Sequence, residues 1–146
     1  KTENCSQKEA ALFLAERYSI DIPQDIKQEL HPENKTQKES YFNVCTQVSI
    51  WCHEQLKKSA TVLTYLHQRG FNNTNLSYFT VGYFPGGLNA IKVLLYEMNK
   101  KNILADDLLQ AHIIQSGKSI LYSPFEERII FPIYDSMGRC CGFGGR

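Results

Sequence analysis

The sequence predicts an α+β fold: a helical first half, then mixed helices with a small antiparallel sheet ending in a β-hairpin. Three observations carry this. Apolar residues recur at helical spacing through most of the chain before the "QSGKS" stretch. Runs of β-branched and aromatic residues, such as "RIIFPIY", then crowd the C-terminal part. The last two runs are joined by "DSMG", whose Asp135 and Gly138 are turn residues. With 146 residues, 42% hydrophobic and 21% charged, the chain has the composition of a folded globular protein. That length suits one ordinary domain, which buries about 70% of its unfolded surface.

Taken in order, "CSQKEAALFLAERYSIDIPQD" opens with Ser6 as N-cap and Glu9 three positions on, a capping box. Ala10, Phe13, Leu14 and Tyr18 supply the apolar stripe of that helix, and Pro23 marks its end or exit. "HPENKTQKES" is polar, carries Pro32 and reads as a linker, so the domain boundary is expected at residues 24–37. Over residues 38–58, Tyr41, Cys45, Val48, Cys52 and Leu56 fall on one helical face. Ser59 is the expected cap of a second helix that contains Val62, Leu63, Tyr65 and Leu66 and stops at Arg69-Gly70. Glycine suits the left-handed position after a helix, and a cation in the last turn suits its dipole. Thr74 is the expected cap of a short helix through Tyr78. "FTVGYFPGG" reads as β-like until Pro85-Gly86-Gly87 breaks it. Residues 88–100 carry Leu88, Ile91, Leu94, Leu95 and Met98 on one face, an amphipathic helix. Asp106 is the expected cap of a short helix through His112, and strands are expected at 120–122, 128–134 and 139–143.

The formal charge of +1 selects no partner. Residues 1–59 hold eight Lys/Arg against nine Asp/Glu, and residues 60–146 hold eight against six. This excludes a strongly basic domain, so a nucleic-acid surface must come from the placement of a few cations. No apolar run approaches the ~20 residues of a membrane span, and the polar start is no secretory core. Five cysteines is an odd count, which rules out a complete intrachain disulfide set and points to cytosolic thiols. The N-x-Ser/Thr sequons at Asn4, Asn34, Asn72 and Asn75 then read as accidental.

Catalytic groups are scarce: no carboxylate pair stands beside a histidine, and there is no phosphate loop or nucleophile elbow. Asp106-Asp107 reads as charge at a helix start, and Glu126-Glu127 as a solvated approach to a strand. Cys45 and Cys52 are seven positions apart, and His53 points about 100° away from Cys52, so no metal is expected there. Cys140-Cys141 alternate across a strand and read as small buried hydrophobes. "GFGGR" supports two readings. It is either a bulge or strand exit that uses glycine's freedom, or a backbone that admits a phosphate beside a guanidinium that can fork onto it.

"YLHQRGF" (65–71), "FTVGYFPGG" (79–87), "DDLLQAHII" (106–114) and "RIIFPIYDSMGRCCGFGGR" (128–146), in this order and spacing, resemble the bacterial-type DNA primase. The resemblance covers most of residues 59–146, and its most specific element is the closing hairpin. "EAALFLAERYSIDIP" (9–23) is similar to the helix that closes the family's zinc-binding domain. It thus implies residues 1–23 as the tail of that domain, 24–37 as linker, and 38–146 as the N-terminal subdomain of the RNA polymerase core. By the same resemblance, Arg69 and Arg146 match nucleic-acid-binding arginines. Arg128 matches a recurrent arginine whose role stays open between nucleic-acid contact and structure.

What the resemblance implies further is an enzyme that synthesises RNA primers on single-stranded DNA in the cytoplasmic replisome. Mg²⁺ or Mn²⁺ would be held by Glu and Asp-x-Asp carboxylates of a TOPRIM fold beyond Arg146, and Zn²⁺ by a cluster before Lys1. No catalytic residue and no metal ligand is then expected among these residues, and the isolated chain is expected to be inactive. Implied partners are template, primer, ribonucleotides and a replicative helicase, with no membrane. Two departures stand out. Tyr122-Ser123-Pro124-Phe125-Glu126 replaces a common Tyr-Asp-Arg-Phe-Arg, which thins the basic shelf, and His112 stands where glycine is usual. A non-catalytic single-strand-binding module, or a protein-interaction domain, fits the same residues.

Overall fold

The computed structural model describes Leu14, Ala15, Arg17 and Tyr18, residues 32–117 and residues 120–146. The chain divides into two compact units, Lys1–Thr36 and Gln37–Arg146. In the first, Leu14, Ala15 and Arg17 are helical, and the Tyr18 N–H donates to the Leu14 carbonyl at 3.0 Å. Ala15 is the buried residue of this turn, whereas Leu14 and Tyr18, expected on the apolar stripe, are exposed. The expected capping box at Ser6 and Glu9 lies outside the described residues.

Helix α1 runs Pro32–Lys58, so part of the stretch expected as linker is helical. Proline at a first helical position forfeits no hydrogen bond, because that N–H has no partner within the helix. Cys45, Val48, Cys52 and Leu56 are buried along α1, as the spacing predicts, Tyr41 is half-buried, and Val44 and Trp51 join the buried set. α2 (Ala60–Gln68) follows Ser59, whose hydroxyl makes no capping bond, contrary to expectation. α3 (Asn73–Tyr78) is capped by Asn72 rather than Thr74: the Asn75 N–H donates to Asn72 Oδ1 at 2.8 Å. α4 (Leu88–Asn99) buries Ala90, Ile91, Leu94 and Met98. Leu88 is exposed, since it sits in the first turn beyond the edge of the core. α5 (Ala105–Gln110) begins after Leu104, not at Asp106. Asp107 Oδ2 accepts the Leu104 N–H at 2.7 Å, which satisfies one donor of the helix start from within.

Four helices end by the same device. Phe71, Val81, Ile103 and Ile113 each donate their N–H to a carbonyl five residues back, on Leu66, Leu76, Met98 and Leu108. The residue just before each donor is left-handed: Gly70 (φ 88), Thr80 (φ 50), Asn102 (φ 59) and His112 (φ 55). This pairing of apolar residues around a left-handed turn closes orphan carbonyls and returns the chain to the core. Only the first of the four uses glycine.

The main sheet has the order β1 (Gly82–Phe84), β4 (Arg128–Tyr134), β5 (Cys140–Gly145), all antiparallel. A second pair joins β2 (Gln115–Ser116) to β3 (Leu121–Tyr122). The β4–β5 turn is held by Asp135 Oδ1, which accepts the N–H groups of Met137 and Arg139, both at 2.9 Å. Side chains alternate along β4, and the two faces feed two cores. Ile130 packs with Trp51, Phe84, Ile91, Leu94 and Met98. Ile129 and Phe131 pack with Leu56, Leu66, Leu76 and Val81. Helix α4 thus packs against the Ile130 face of this sheet through Ile91, Leu94 and Met98.

Candidate nucleic-acid interface

Arg69 is presented by the end of α2. Gly70 and Phe71 close the helix behind it, and its guanidinium lies over the Tyr65 ring, 5.1 Å from the centroid. Phe71 packs on Phe131 of β4, with ring centroids 6.4 Å apart, which ties this helix end to the Phe131 face of the sheet.

Arg146 reaches that same face by register. Its backbone exchanges two hydrogen bonds with Ile129, at 2.8 and 3.0 Å, so the two residues stand directly opposite. Directly opposed residues in an antiparallel pair share a face. Arg146 therefore shares a face with Ile129 and Phe131, whereas Arg128 alternates to the other face with Ile130. The three arginines are not one cluster: Arg69 and Arg146 lie on one side, and Arg128 lies at the same sheet end on the other. Neither Arg128 nor Arg146 has an ion-pair partner among the described residues.

Between Arg146 and the hairpin turn, the same face of β5 carries only Gly144, opposite Phe131, and Gly142, opposite Ile133. Neither has a positive φ. A Cβ placed on Gly142 would meet nothing within 4 Å, and one on Gly144 would first meet the Phe131 carbonyl at 3.8 Å. Gly145 on the other face differs, because a Cβ there would lie 3.2 Å from Arg128 Cδ and from the Phe125 ring. The two lane glycines thus answer neither to backbone strain nor to crowding within the described chain. What they leave is a strip of bare backbone that ends at a guanidinium.

The turn before β4 corrects the reading of Glu126 as solvated. Glu126 Oε1 accepts the Ser123 N–H at 3.1 Å, and Oε2 accepts the Gly87 N–H at 3.2 Å. Ser123 is 4% exposed, and its hydroxyl donates to the Ile113 carbonyl at 2.6 Å. Sequence reasoning missed the Gly87 half of this clamp because those partners are 39 residues apart, whereas Ser123 and Glu126 stand at the local Ser-x-x-Glu spacing.

The cysteines sit in protonating surroundings. Burial pushes the Cys45 thiol up to about 11 and Cys52 further, and burial together with the neighbouring Cys45 pushes Tyr41 up to about 12. Cys140 is likewise raised by burial. The described residues bring together no three His, Cys, Asp or Glu side chains able to hold a metal ion, and so they do not fit a zinc or magnesium site. No described helix is long and apolar enough to cross a membrane.

Residues 51–146 match the family model for the DNA primase catalytic core, N-terminal domain. The DNA primase of Clostridium acetobutylicum is 29% identical over 146 residues, covering 100% of this chain and 24% of that protein. The chain thus spans about a quarter of the length of the curated relatives it matches. Among solved structures, the Aquifex aeolicus primase, with its zinc-binding and RNA polymerase domains, superposes with a TM-score of 0.64 at 30% identity. That match covers 94% of this chain and 31% of the other. A DnaG primase catalytic domain bound to single-stranded DNA shares the fold, with a TM-score of 0.65 at 23% identity over 77% of this chain and 36% of that one.

Proposed function

The chain belongs to the family of the N-terminal domain of the DNA primase catalytic core, and from that premise we propose that it guides single-stranded DNA template and ribonucleotides during RNA-primer synthesis. The single observation that carries this reading is the open lane of Gly142 and Gly144 ending at Arg146, with Arg69 on the same side of the sheet. Bare backbone lets a phosphate approach closely, and a guanidinium fork then grips two of its oxygens. Such contacts position a strand without reading its sequence, which suits an enzyme that must copy many templates.

In this reading residues 1–23 are the tail of a zinc-binding domain, 24–37 the linker, and 38–146 the core's N-terminal subdomain. The nucleotidyl transfer, its Mg²⁺ or Mn²⁺, the structural Zn²⁺ and the helicase contact belong to the intact cytoplasmic enzyme. This chain's contribution is to guide the template and the ribonucleotides. A relative whose catalytic domain is bound to single-stranded DNA supports the substrate class over a protein-interaction role.

The test is the salt dependence of single-stranded DNA binding by the intact protein. Arg69→Ala and Arg146→Ala each lose one phosphate contact, so the slope of log K against log salt becomes shallower by about 0.7. Lys27→Ala, in the proposed linker, serves as control and keeps the parent slope. Parent-like slopes for both arginine variants would remove the groove assignment.

A further inference from the structure

We propose that Glu126 is a positioning residue: by clamping the turn before β4 to the start of α4, it sets Arg128 for contact with a phosphate. The inference rests on the single-strand-binding function proposed above. A carboxylate close to a cation that binds nucleic acid is adverse by charge alone. The geometry shows what the carboxylate does instead.

Its two oxygens take two different backbone N–H groups, one from Ser123 within the turn and one from Gly87 at the N-cap of α4. Glu126 thereby satisfies the backbone N–H of the N-cap residue itself and places negative charge at the favourable end of a 12-residue helix. The turn is fastened at its other end by Ser123, whose Oγ bonds the Ile113 carbonyl and accepts the Phe125 N–H at 3.2 Å. Phe125 in turn accepts the Arg128 N–H at 3.1 Å. Glu127, between the clamp and Arg128, is left-handed at φ 57, and its side chain fills the space over Gly86, where a Cβ would lie 2.6 Å from Glu127 Cγ. The Arg128 stem finally lies along Gly145, one residue before Arg146. Each link fixes the next, and the last is an exposed guanidinium without an ion-pair partner among the described residues.

Charge and position forecast opposite signs. If Glu126 acted only as a charge, Glu126→Ala would tighten binding of single-stranded DNA. As a positioning residue, its loss weakens binding.

The experiment measures affinity and salt slope of the intact protein for an unstructured oligodeoxynucleotide. The variants are Glu126→Ala, Glu126→Gln, Arg128→Ala and the double variant Glu126→Ala/Arg128→Ala, with melting followed in parallel. We expect Glu126→Ala and Arg128→Ala each to weaken binding about fivefold and to flatten the slope by about 0.7. The double variant should be no weaker than Arg128→Ala alone, because both act on one contact. Glu126→Gln, which keeps one acceptor oxygen and loses the charge, should fall between parent and Glu126→Ala. It also serves as the readout should Glu126→Ala fail to fold. Tighter or unchanged binding by the Glu126 variants overturns the proposal, as does additivity in the double variant. If Arg128→Ala binds like the parent while Arg69→Ala and Arg146→Ala are weakened, the positioning role is lost and the groove stands. If all three arginine variants bind like the parent, the proposed function itself fails.

Discussion

The two edges of the three-stranded sheet both carry glycine, for opposite reasons. At the β1 edge, a Cβ on Gly82 would lie 2.5 Å from Cys52 Cβ, 2.7 Å from the Cys52 carbonyl carbon and 2.9 Å from the His53 nitrogen. Helix α1 presses directly on the strand there, and His53 Nδ1 donates to the Val81 carbonyl at 2.6 Å. At the β5 edge, a Cβ on Gly142 would meet nothing within 4 Å and one on Gly144 only ordinary contacts with Phe131. Among other residues, α1 reaches this edge through Tyr41, whose hydroxyl donates to the Cys141 carbonyl at 3.0 Å. One glycine exists because the fold has no room; the others leave room that the fold does not use. A residue type therefore says nothing about its purpose until its neighbours are known.

The largest effect should come from filling the crowded edge. Gly82→Ala forces α1 and β1 apart and should cost about 3 kcal/mol, a fall in Tm of about 10 °C. Gly142→Ala should leave stability the same or raise it, since alanine restricts the unfolded chain and meets nothing in the fold. Equal destabilisation of the two variants in thermal melts would erase the contrast.

The cysteines sharpen the same comparison through pH. The Cys45 thiol is held protonated by burial up to about 11, against an ordinary value of 9.0. Between those values the unfolded chain has released this proton while the folded chain retains it. Unfolding is then favoured as pH rises, so stability is fully present below pH 9 and declines toward pH 11. Denaturant melts across that range check the sign. At pH 8 the half-exposed Cys141 beside the open edge should react with an aromatic disulfide reagent before Cys45 or Cys52. Simultaneous labelling of all of them would mean that α1 does not seal its edge.

A smaller effect belongs to the helix ends. Thr80→Gly should stabilise the protein by about 1 kcal/mol, because a β-branched residue at φ 50 is strained and glycine is not. A loss of stability would show that the Thr80 side chain contributes more than its backbone costs.

These positions also mark how far the sequence could be read. Gly70 announced the end of α2, and Asp135 and Gly138 announced the hairpin, because each residue type is the local requirement of its turn. The β-branched and aromatic run of β4 and the apolar face of α4 were equally legible. Thr80 and His112 gave no such signal: the same left-handed turn is imposed there by the apolar residue that follows, and its burial overrides local preference. Pro32 read as linker yet opens α1, because proline suits a first helical position as well as a loop. At the candidate site, Arg69 and Arg146 were visible through motif, but their shared face and the separation of Arg128 depend on strand register. The Glu126 clamp and the difference between Gly82 and Gly144 are matters of tertiary neighbours, which spacing along a chain does not encode.

The most direct measurement of the central claim fills the open lane itself. Gly144→Val in the intact protein places a branched side chain on the bare strip beside Phe131, where an added Cβ meets only ordinary van der Waals contacts. Its Tm should equal or exceed that of the parent, since valine favours a strand, while its affinity for single-stranded DNA should fall about tenfold. A variant that is as stable as the parent and binds the oligonucleotide equally well would contradict the assignment of this lane to a nucleic-acid backbone.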